Sequence, residues 1–321
     1  MKMFVRAVAL CAAVVFSGSA FAQQYPNKPV KIIIPFPAGG VTDLGGRLIA
    51  QRLSEKLGQQ FYIENVPGAG GNLGMAQVAR SPGDGYTILL SSSSVTVNPS
   101  LYQKMPFDVE KDLIPVTKAG GSPNSWLVHP SFPAKDMKDL IDLMKKEPGK
   151  YSVGSPGAGT TPSLSIEQLK HDLNVNFVTV PFAGGGPMTQ SLLGNHVPIV
   201  CGAIGNSVEL IKDGKIRALG ITDKKRLETL PDIPTLDELG IKGQEAETIA
   251  GVFVPAGTPK EIVDKLQKEI GAAVNSPDIR ARLLELGIVP DGGTPAEFAA
   301  YVKADIAKWK RVIEVANIPK I

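Results

Sequence analysis

Apolar residues fall along this chain in short runs, each followed by a stripe at helical spacing. Val30 to Ile34 is almost continuously apolar, as expected of a strand buried on both faces. Leu44, Leu48, Ile49, Leu53 and Leu57 then recur at helix period, and Gly58 ends that helix. Phe61 to Glu64 predicts a second strand. The stretch Gly68 to Gly74 leads into a helix through Ala79, Pro82-Gly83-Asp84-Gly85 is a turn, and Tyr86 to Leu90 predicts a third strand. The order β-α-β-α-β predicts an open, mostly parallel α/β sheet flanked by helices.

A second unit begins near Ser122-Pro123. Trp126 to Val128 predicts a strand, Met137 to Met144 an amphipathic helix, and Tyr151 to Val153 a strand entering the loop Gly154-Ser155-Pro156-Gly157-Ala158-Gly159. Pro162 suits a first helical turn, where its missing N–H costs nothing. Strand, loop and helix recur through Ile221. The chain then passes Leu230-Pro231-Asp232-Ile233-Pro234 and ends in helices with stripes such as Ile262, Leu266 and Ile270, then Phe298, Tyr301, Val302, Trp309 and Val312. The expected organisation is a leader at 1–22, a discontinuous first lobe at 23–121 and 223–321, and a second lobe at 122–222. Two crossovers then form a hinge.

One loop occurs twice. Pro35-Phe36-Pro37-Ala38-Gly39-Gly40 and Pro181-Phe182-Ala183-Gly184-Gly185-Gly186 each follow a strand and precede a helix. A strand that breaks into glycines at a helix start leaves backbone N–H groups free at the positive end of the helix dipole, which is a site for an anion. Two such loops a domain apart suggest two similar lobes gripping one anionic ligand. The loop Gly154 to Thr161 adds Ser155, Thr160 and Thr161 before another helix. There the plainer reading is a tight turn with Thr160 or Thr161 as N-cap. Thr42 and Asp43 can likewise be caps, although Asp43 could accept from an amine or hydroxyl or hold a water. Ser91 to Ser94 and Asn98 follow the third strand, at the end that faces the crevice of an open α/β sheet.

Residues 1–22 read as a secretory leader. Lys2 and Arg6 precede the apolar core Ala7 to Phe16, and Ala20-Phe21-Ala22 fits a cleavage site before Gln23. That core is too short to span ~30 Å of hydrocarbon. Removing Lys2 and Arg6, the only charges in the segment, takes the formal charge from +3 to +1, which gives no bulk attraction to nucleic acid or anionic lipid. One cysteine, Cys201, would remain, so no internal disulfide is expected. The expected compartment is the periplasm of a Gram-negative cell.

Catalytic signatures are lacking. There is no G-x-S-x-G elbow and no P-loop lysine, and His129, His171 and His196 are scattered. Gly68, Gly70 and Gly74 miss the dinucleotide spacing, and Pro67 intrudes before them. Cys201 reads as a core residue rather than a nucleophile. No metal-ligand spacing is present, and no cofactor and no enzymatic activity are expected.

From Tyr25 to the end the chain resembles the Bug-type substrate-binding proteins of tripartite tricarboxylate transporters. The resemblance rests on Ile33-Ile34-Pro35-Phe36-Pro37-Ala38-Gly39-Gly40 with Asp43, Glu64-Asn65 with Pro67-Gly68-Ala69-Gly70-Gly71, Asp84-Gly85-Tyr86-Thr87, and Asn98-Pro99 with Leu101-Tyr102. Gly154-Ser155, Pro181-Phe182, Leu230-Pro231-Asp232-Ile233-Pro234-Thr235 and Pro255-Ala256-Gly257-Thr258-Pro259 complete it. It implies a two-lobed, flytrap-like periplasmic receptor that delivers a small organic acid to membrane permease subunits by transient contact. It also implies that the Pro35–Asp43 loop reaches the ligand partly through ordered water, while the Ser155–Thr161 loop grips a carboxylate directly. Many relatives carry a histidine where this chain has Ser163, and often an acidic residue near Ser191. Their absence puts an amino-acid ligand in doubt.

The resulting expectation is a monomeric receptor for an aliphatic dicarboxylate, held by neutral donors and helix dipoles because no arginine lies in these loops. One carboxylate is expected on Ser155, Gly157, Gly159, Thr160 and Thr161. The other end is expected to face Phe36, Ala38, Gly39, Gly40, Thr42 and Asp43, with Ser92, Asn98, Gly184, Gly185 and Ala203 alongside. An aromatic carboxylate sandwiched between Phe36 and Phe182 is the alternative ligand, and service to a membrane sensor the alternative role.

Overall fold

The computed structural model describes residues 25–321; the expected leader lies outside the described residues. Among the described residues ten strands join in one hydrogen-bonded sheet, eight of them along a continuous path. They are β1 (Val30–Ile34), β2 (Phe61–Asn65), β3 (Thr87–Ser91), β4 (Leu113–Val128), β5 (Ser152–Ser155), β6 (Val178–Pro181), β7 (Ile199–Ala203), β8 (Arg217–Ile221), β9 (Glu247–Pro255) and β10 (Val289–Pro290). The order is β2-β1-β3-β9-β4-β7-β5-β6, with β8 and β10 also on β4.

Strand β4 runs through both lobes. Its first part, up to Pro123, pairs with β9, and Asn124 to Val128 pair with β7. Within each lobe the strand–helix–strand units give parallel pairs: β1 with β2 and β3, and β5 with β6 and β7. The strands that carry the chain between lobes enter antiparallel, β9 between β3 and β4, and β4 against β7 and β8. Each lobe is therefore a parallel core edged by a connecting strand, the two-lobed flytrap arrangement with two crossovers.

The returning crossover lies later than position 223. Thr222 N–H donates to the Asn124 carbonyl at 2.9 Å, and Ala246 N–H to the Thr222 carbonyl at 2.9 Å. Leu227, Leu230 and Ile233 pack with Ile204, Val208 and Ile221, while Leu236 and Ile241 join the cluster of Trp126, Met137 and Leu140. These side chains bury themselves in the second lobe, so the segment they occupy stays with it and the chain re-enters the first lobe at Ala246–Glu247. The final helices do pack on the first lobe. Val263, Leu266 and Ile270 cover one face of its sheet with Ile49 and Leu53, and Phe298 and Val302 cover the other with Met75 and Leu89.

Helix boundaries follow local chemistry. The helix Val41–Leu57 stops at Gly58, whose φ of 68° lets its N–H reach the Ser54 carbonyl. The helix Thr161–Leu173 starts with Thr160 accepting from Ser163 N–H and stops at left-handed Asn174. The long helix Pro295–Val315 opens with a capping box between Thr294 and Glu297. No helix among the described residues is long and apolar enough to cross a membrane.

Candidate functional site

The carboxyl ends of β1, β3, β5, β6 and β7 meet at one cavity of about 70 Å³ between the lobes. That volume holds about five to seven water-sized positions. The first lobe contributes Phe36, Pro37, Ala38 and the stretch Gly40–Asp43, then Ser92, Ser93 and, from β9, Thr248. The second lobe contributes Pro156, the turn Thr160–Pro162, the turn Ala183–Pro187, and Ala203 with Asn206.

Four helices begin at this cavity: Val41–Leu57, Ser94–Leu101, Thr161–Leu173 and Gly185–Leu193. First-turn N–H groups have no acceptor inside their own helix, but those of the Ser94 helix go to Ser92 and Ser93, and at the Thr161 helix Pro162 has none and Ser163 N–H goes to Thr160. The helices at Val41 and Gly185 start on glycines with no side-chain cap, so nothing at the cap position competes for those groups. The lining contains no lysine, arginine or histidine. It is a concentration of helix-dipole positive ends and hydroxyls, an environment suited to carboxylate oxygens.

Asp43 is the only charged residue in the lining, and its carboxylate is fully occupied. One oxygen accepts from Gly39 N–H and Arg47 Nε, each at 3.0 Å. The other accepts from Arg47 Nη2 and Asn65 Nδ2, each at 3.0 Å. Burial pushes its carboxyl up, but Arg47, the Gly39 N–H and Asn65 together outweigh that and hold it below the usual carboxylate range. Asn65 also donates to the Phe36 carbonyl at 3.0 Å. Asp43 thus pins the glycine loop to the second strand, a bracing role that the sequence reading did not include.

The two threonines of the second lobe are also engaged. Thr160 Oγ donates to the Gly157 carbonyl at 2.7 Å and accepts from Ser163 N–H. Thr161 Oγ donates to the Glu247 carbonyl at 3.0 Å. Both hydroxyl protons point at protein, which leaves backbone N–H groups as the principal free donors on that wall.

Of the expected contact residues, the cavity gathers Phe36, Ala38, Gly40, Thr42, Asp43, Ser92, Thr160, Thr161, Gly184, Gly185 and Ala203. Gly39, Asn98, Ser155, Gly157, Gly159 and Phe182 lie outside its lining. Each has a physical reason. Gly39 sits at the exposed loop tip and gives its N–H to Asp43. Ser155 is buried and caps Gly157 N–H. Gly157 and Gly159 have φ of 110° and 77°; a Cβ would meet the Phe182 carbonyl at 2.8 Å at the first and collide with Asn98 Oδ1 at the second. These glycines let loops approach one another rather than a ligand. Asn98 is wholly buried and donates to the Gly70 carbonyl and Asn72 Oδ1. The Phe182 ring packs with Met188 and Val200 and would touch a Cβ on Gly154 at 3.1 Å. The ring is half-buried against that second-lobe cluster and is not part of the cavity lining, whereas Phe36 is. Ser93, Asn206 and Thr248 also line the cavity. Ser93 belonged to a serine run already noted, but nothing in sequence marked the other two.

The rest of the polar inventory lies elsewhere. Among the described residues no three His, Cys, Asp or Glu side chains gather as metal ligands. Cys201 is buried in β7, and burial pushes its thiol far up.

The arrangement has counterparts. A family model described as the tripartite tricarboxylate transporter family receptor matches residues 46–318. A structure of R. palustris Rpa4515 with adipate is 35% identical, covers 92% of this chain and 100% of its own, and superposes with a TM-score of 0.89. The periplasmic binding protein BugD is 35% identical with the same coverage and a TM-score of 0.87. MatC from Rhodopseudomonas palustris with bound malate is 32% identical, covers 90% of this chain and 100% of its own, and gives a TM-score of 0.84.

Proposed function

We infer the function from one premise: the chain belongs to the tripartite tricarboxylate transporter receptor family. Members of that family are solute-binding proteins of the periplasm rather than enzymes. On that basis this chain is a receptor that captures a short aliphatic dicarboxylate and hands it to the membrane permease subunits of such a transporter. The observation that carries the ligand class is the convergence of the uncapped helix starts at Val41 and Gly185, with the helix start at Thr161, on a cavity without a cationic side chain.

A carboxylate held there is stabilised by dipoles worth ~0.3–1 kcal/mol each when exposed and up to ~2 kcal/mol when partly buried. Excluding water by lobe closure strengthens each of them. The protein would meet its ligand open, and closure would bring the Val41 and Gly185 helix starts onto opposite ends of the acid. Rpa4515 with adipate and MatC with malate add support from similar chains. The inward packing of Phe182 counts against an aromatic acid.

The test is thermal unfolding of ligand-stripped protein against C4–C6 dicarboxylates, benzoate-type acids and acidic amino acids. At a thousandfold excess over Kd a ligand adds ~4 kcal/mol, so a shift of several degrees with the dicarboxylates alone is expected. A shift only with aromatic or amino acids would replace this reading.

A further inference from the structure

A second cavity, of about 650 Å³, lies along the hinge and shares no lining residue with the first. The first lobe lines it with Lys118 and Gly121 of β4, with β10, and with the helix Pro295–Val315 through Tyr301, Ala304, Asp305 and Lys308. The passage that stays with the second lobe adds Thr222–Lys224 and Glu245–Ala246. Its size is within the range of roughly 300–1,000 Å³ typical of small-molecule sites.

The lining sets five carboxylates against three lysines and has no arginine or histidine. Two of the lysines are taken up by protein. Lys118 Nζ donates to Glu247 and lies 3.8 Å from Asp291. Lys308 Nζ donates to the Glu245 carbonyl and sits 4.6 Å over the Trp309 ring. Lys224 is exposed.

Asp305 is only 9% exposed, yet its carboxylate is half answered. Oδ2 accepts from Trp309 Nε1 at 3.1 Å and from the Thr96 hydroxyl at 2.7 Å, and that hydroxyl is shared with the Ser93 carbonyl at 2.8 Å. Oδ1 has no hydrogen-bond partner among the described residues, and it is not one of the atoms shut off from solvent. Because Asp305 lines the cavity, that open acceptor is served from the cavity. Burial pushes its carboxyl up, and Thr96, Lys308 and Trp309 offset this only in part.

A carboxylate buried without a cation is costly. Water answers Oδ1 but adds no charge, and the excess of carboxylates repels an anion. A bare metal ion needs ligands gathered around it, and no three acidic, His or Cys side chains gather so among the described residues. An ammonium both donates and carries charge. A second ammonium a few bonds away reaches toward Asp223 and Glu245, the carboxylates of the second-lobe passage.

We propose that the hinge cavity is a second binding site, for an aliphatic diammonium ion, with one ammonium on Asp305 Oδ1 and the other toward the second-lobe carboxylates. The site is separate from the acid-binding cavity and does not depend on what that cavity holds.

The test is calorimetric titration of ligand-stripped protein at pH 8 with 1,4-diaminobutane, with 1,4-butanediol as the uncharged control of the same length and calcium chloride as the metal control. Wild type should bind one equivalent of the diamine with a Kd of ~1 mM or tighter and should not bind the diol. D305N keeps an oxygen for Thr96 and Trp309 and removes the charge. It should weaken diamine binding about tenfold or more, the scale of a charge-assisted hydrogen bond. A304W fills the cavity from an exposed helix position and should do the same with a melting temperature near wild type, which keeps the test if D305N folds poorly. No diamine binding by wild type overturns the proposal. So does equal diamine binding by wild type and both variants, or binding of calcium in place of the diamine. None of these results touches the acid-receptor reading, which is tested at the other cavity.

Discussion

Thr161 and Ser93, from opposite lobes, donate to the same carbonyl oxygen. Thr161 Oγ reaches Glu247 O at 3.0 Å and Ser93 Oγ reaches it at 2.8 Å. Both hydroxyls belong to residues lining the cavity, and Glu247 is the first residue of β9 after the returning crossover. The Glu247 side chain is anchored separately, by Lys118 Nζ at 2.5 Å and Tyr301 OH at 3.1 Å. The hinge and the ligand wall thus share one acceptor.

T161V should test that link. Removing one donor to a part-buried carbonyl should cost about 1 kcal/mol in urea unfolding. It should also enlarge the open population, seen as a larger radius of gyration by small-angle scattering at a ligand concentration that closes wild type. Unchanged scattering and affinity would mean that Thr161 does not couple ligand to hinge.

Gly205 of the second lobe faces the first lobe directly. A Cβ there would collide with the Leu286 carbonyl oxygen and lie 2.7 Å from Val41 Cγ2. Its backbone is not in the left-handed region, so alanine brings no strain of its own. A clash with backbone is not relieved by a side-chain rotation, so G205A should lower the melting temperature by several degrees and weaken ligand binding about tenfold or more, because this contact between the lobes no longer fits. Wild-type affinity in G205A would show that closure does not bring these two surfaces together.

Asp43 should act through the loop it braces. D43A loses charge-assisted hydrogen bonds worth ~1.5–3 kcal/mol and should lose stability on that scale. The sign of the pH effect follows from its lowered folded value. The contribution is fully present above about pH 4 and is lost as pH falls through the folded value. Between pH 6 and pH 3 the urea midpoint of wild type should drop further than that of D43A. Parallel drops would place the acid sensitivity elsewhere.

Cys201 should be inert in the folded protein. It is fully buried in β7, and desolvation keeps its thiol protonated. Labelling by an aromatic disulfide should follow the unfolding rate and slow further when ligand is added. Fast labelling of native protein would contradict the packing of the second-lobe core.

Much of this arrangement is readable in sequence where one stretch carries its own signal. The run Val30–Ile34 followed by Pro35–Gly40 announces strand, corner and helix start, because buried parallel strands are continuously apolar and glycines mark the turn. Strand β4 is harder. Only Trp126–Val128 reads as strand, yet β4 covers sixteen residues, because Gly120, Gly121, Ser122, Pro123, Asn124 and Ser125 form the passage between lobes and carry no apolar pattern. Leu227, Leu230 and Ile233 look like the start of the final helical segment. They pack instead on Ile204 and Val208, a choice made by tertiary contacts. Asn206 and Thr248 enter the cavity through a turn and a hinge strand, and their roles depend on partners more than 20 residues away. Gly157 and Gly159 were expected to donate to a carboxylate; what lies against them in the structure is protein, the Phe182 carbonyl and the Asn98 side chain.

The central claim is that a dicarboxylate is held by helix N-termini and neutral groups. The most direct measurement is a crystal structure of the protein with the acid that gives the largest thermal shift. Carboxylate oxygens are expected within hydrogen-bonding distance of first-turn N–H groups of the helices starting at Val41, Thr161 or Gly185, with no lysine or arginine contact. An acid bound outside this cavity, or one whose carboxylates rest on cationic side chains, would contradict it.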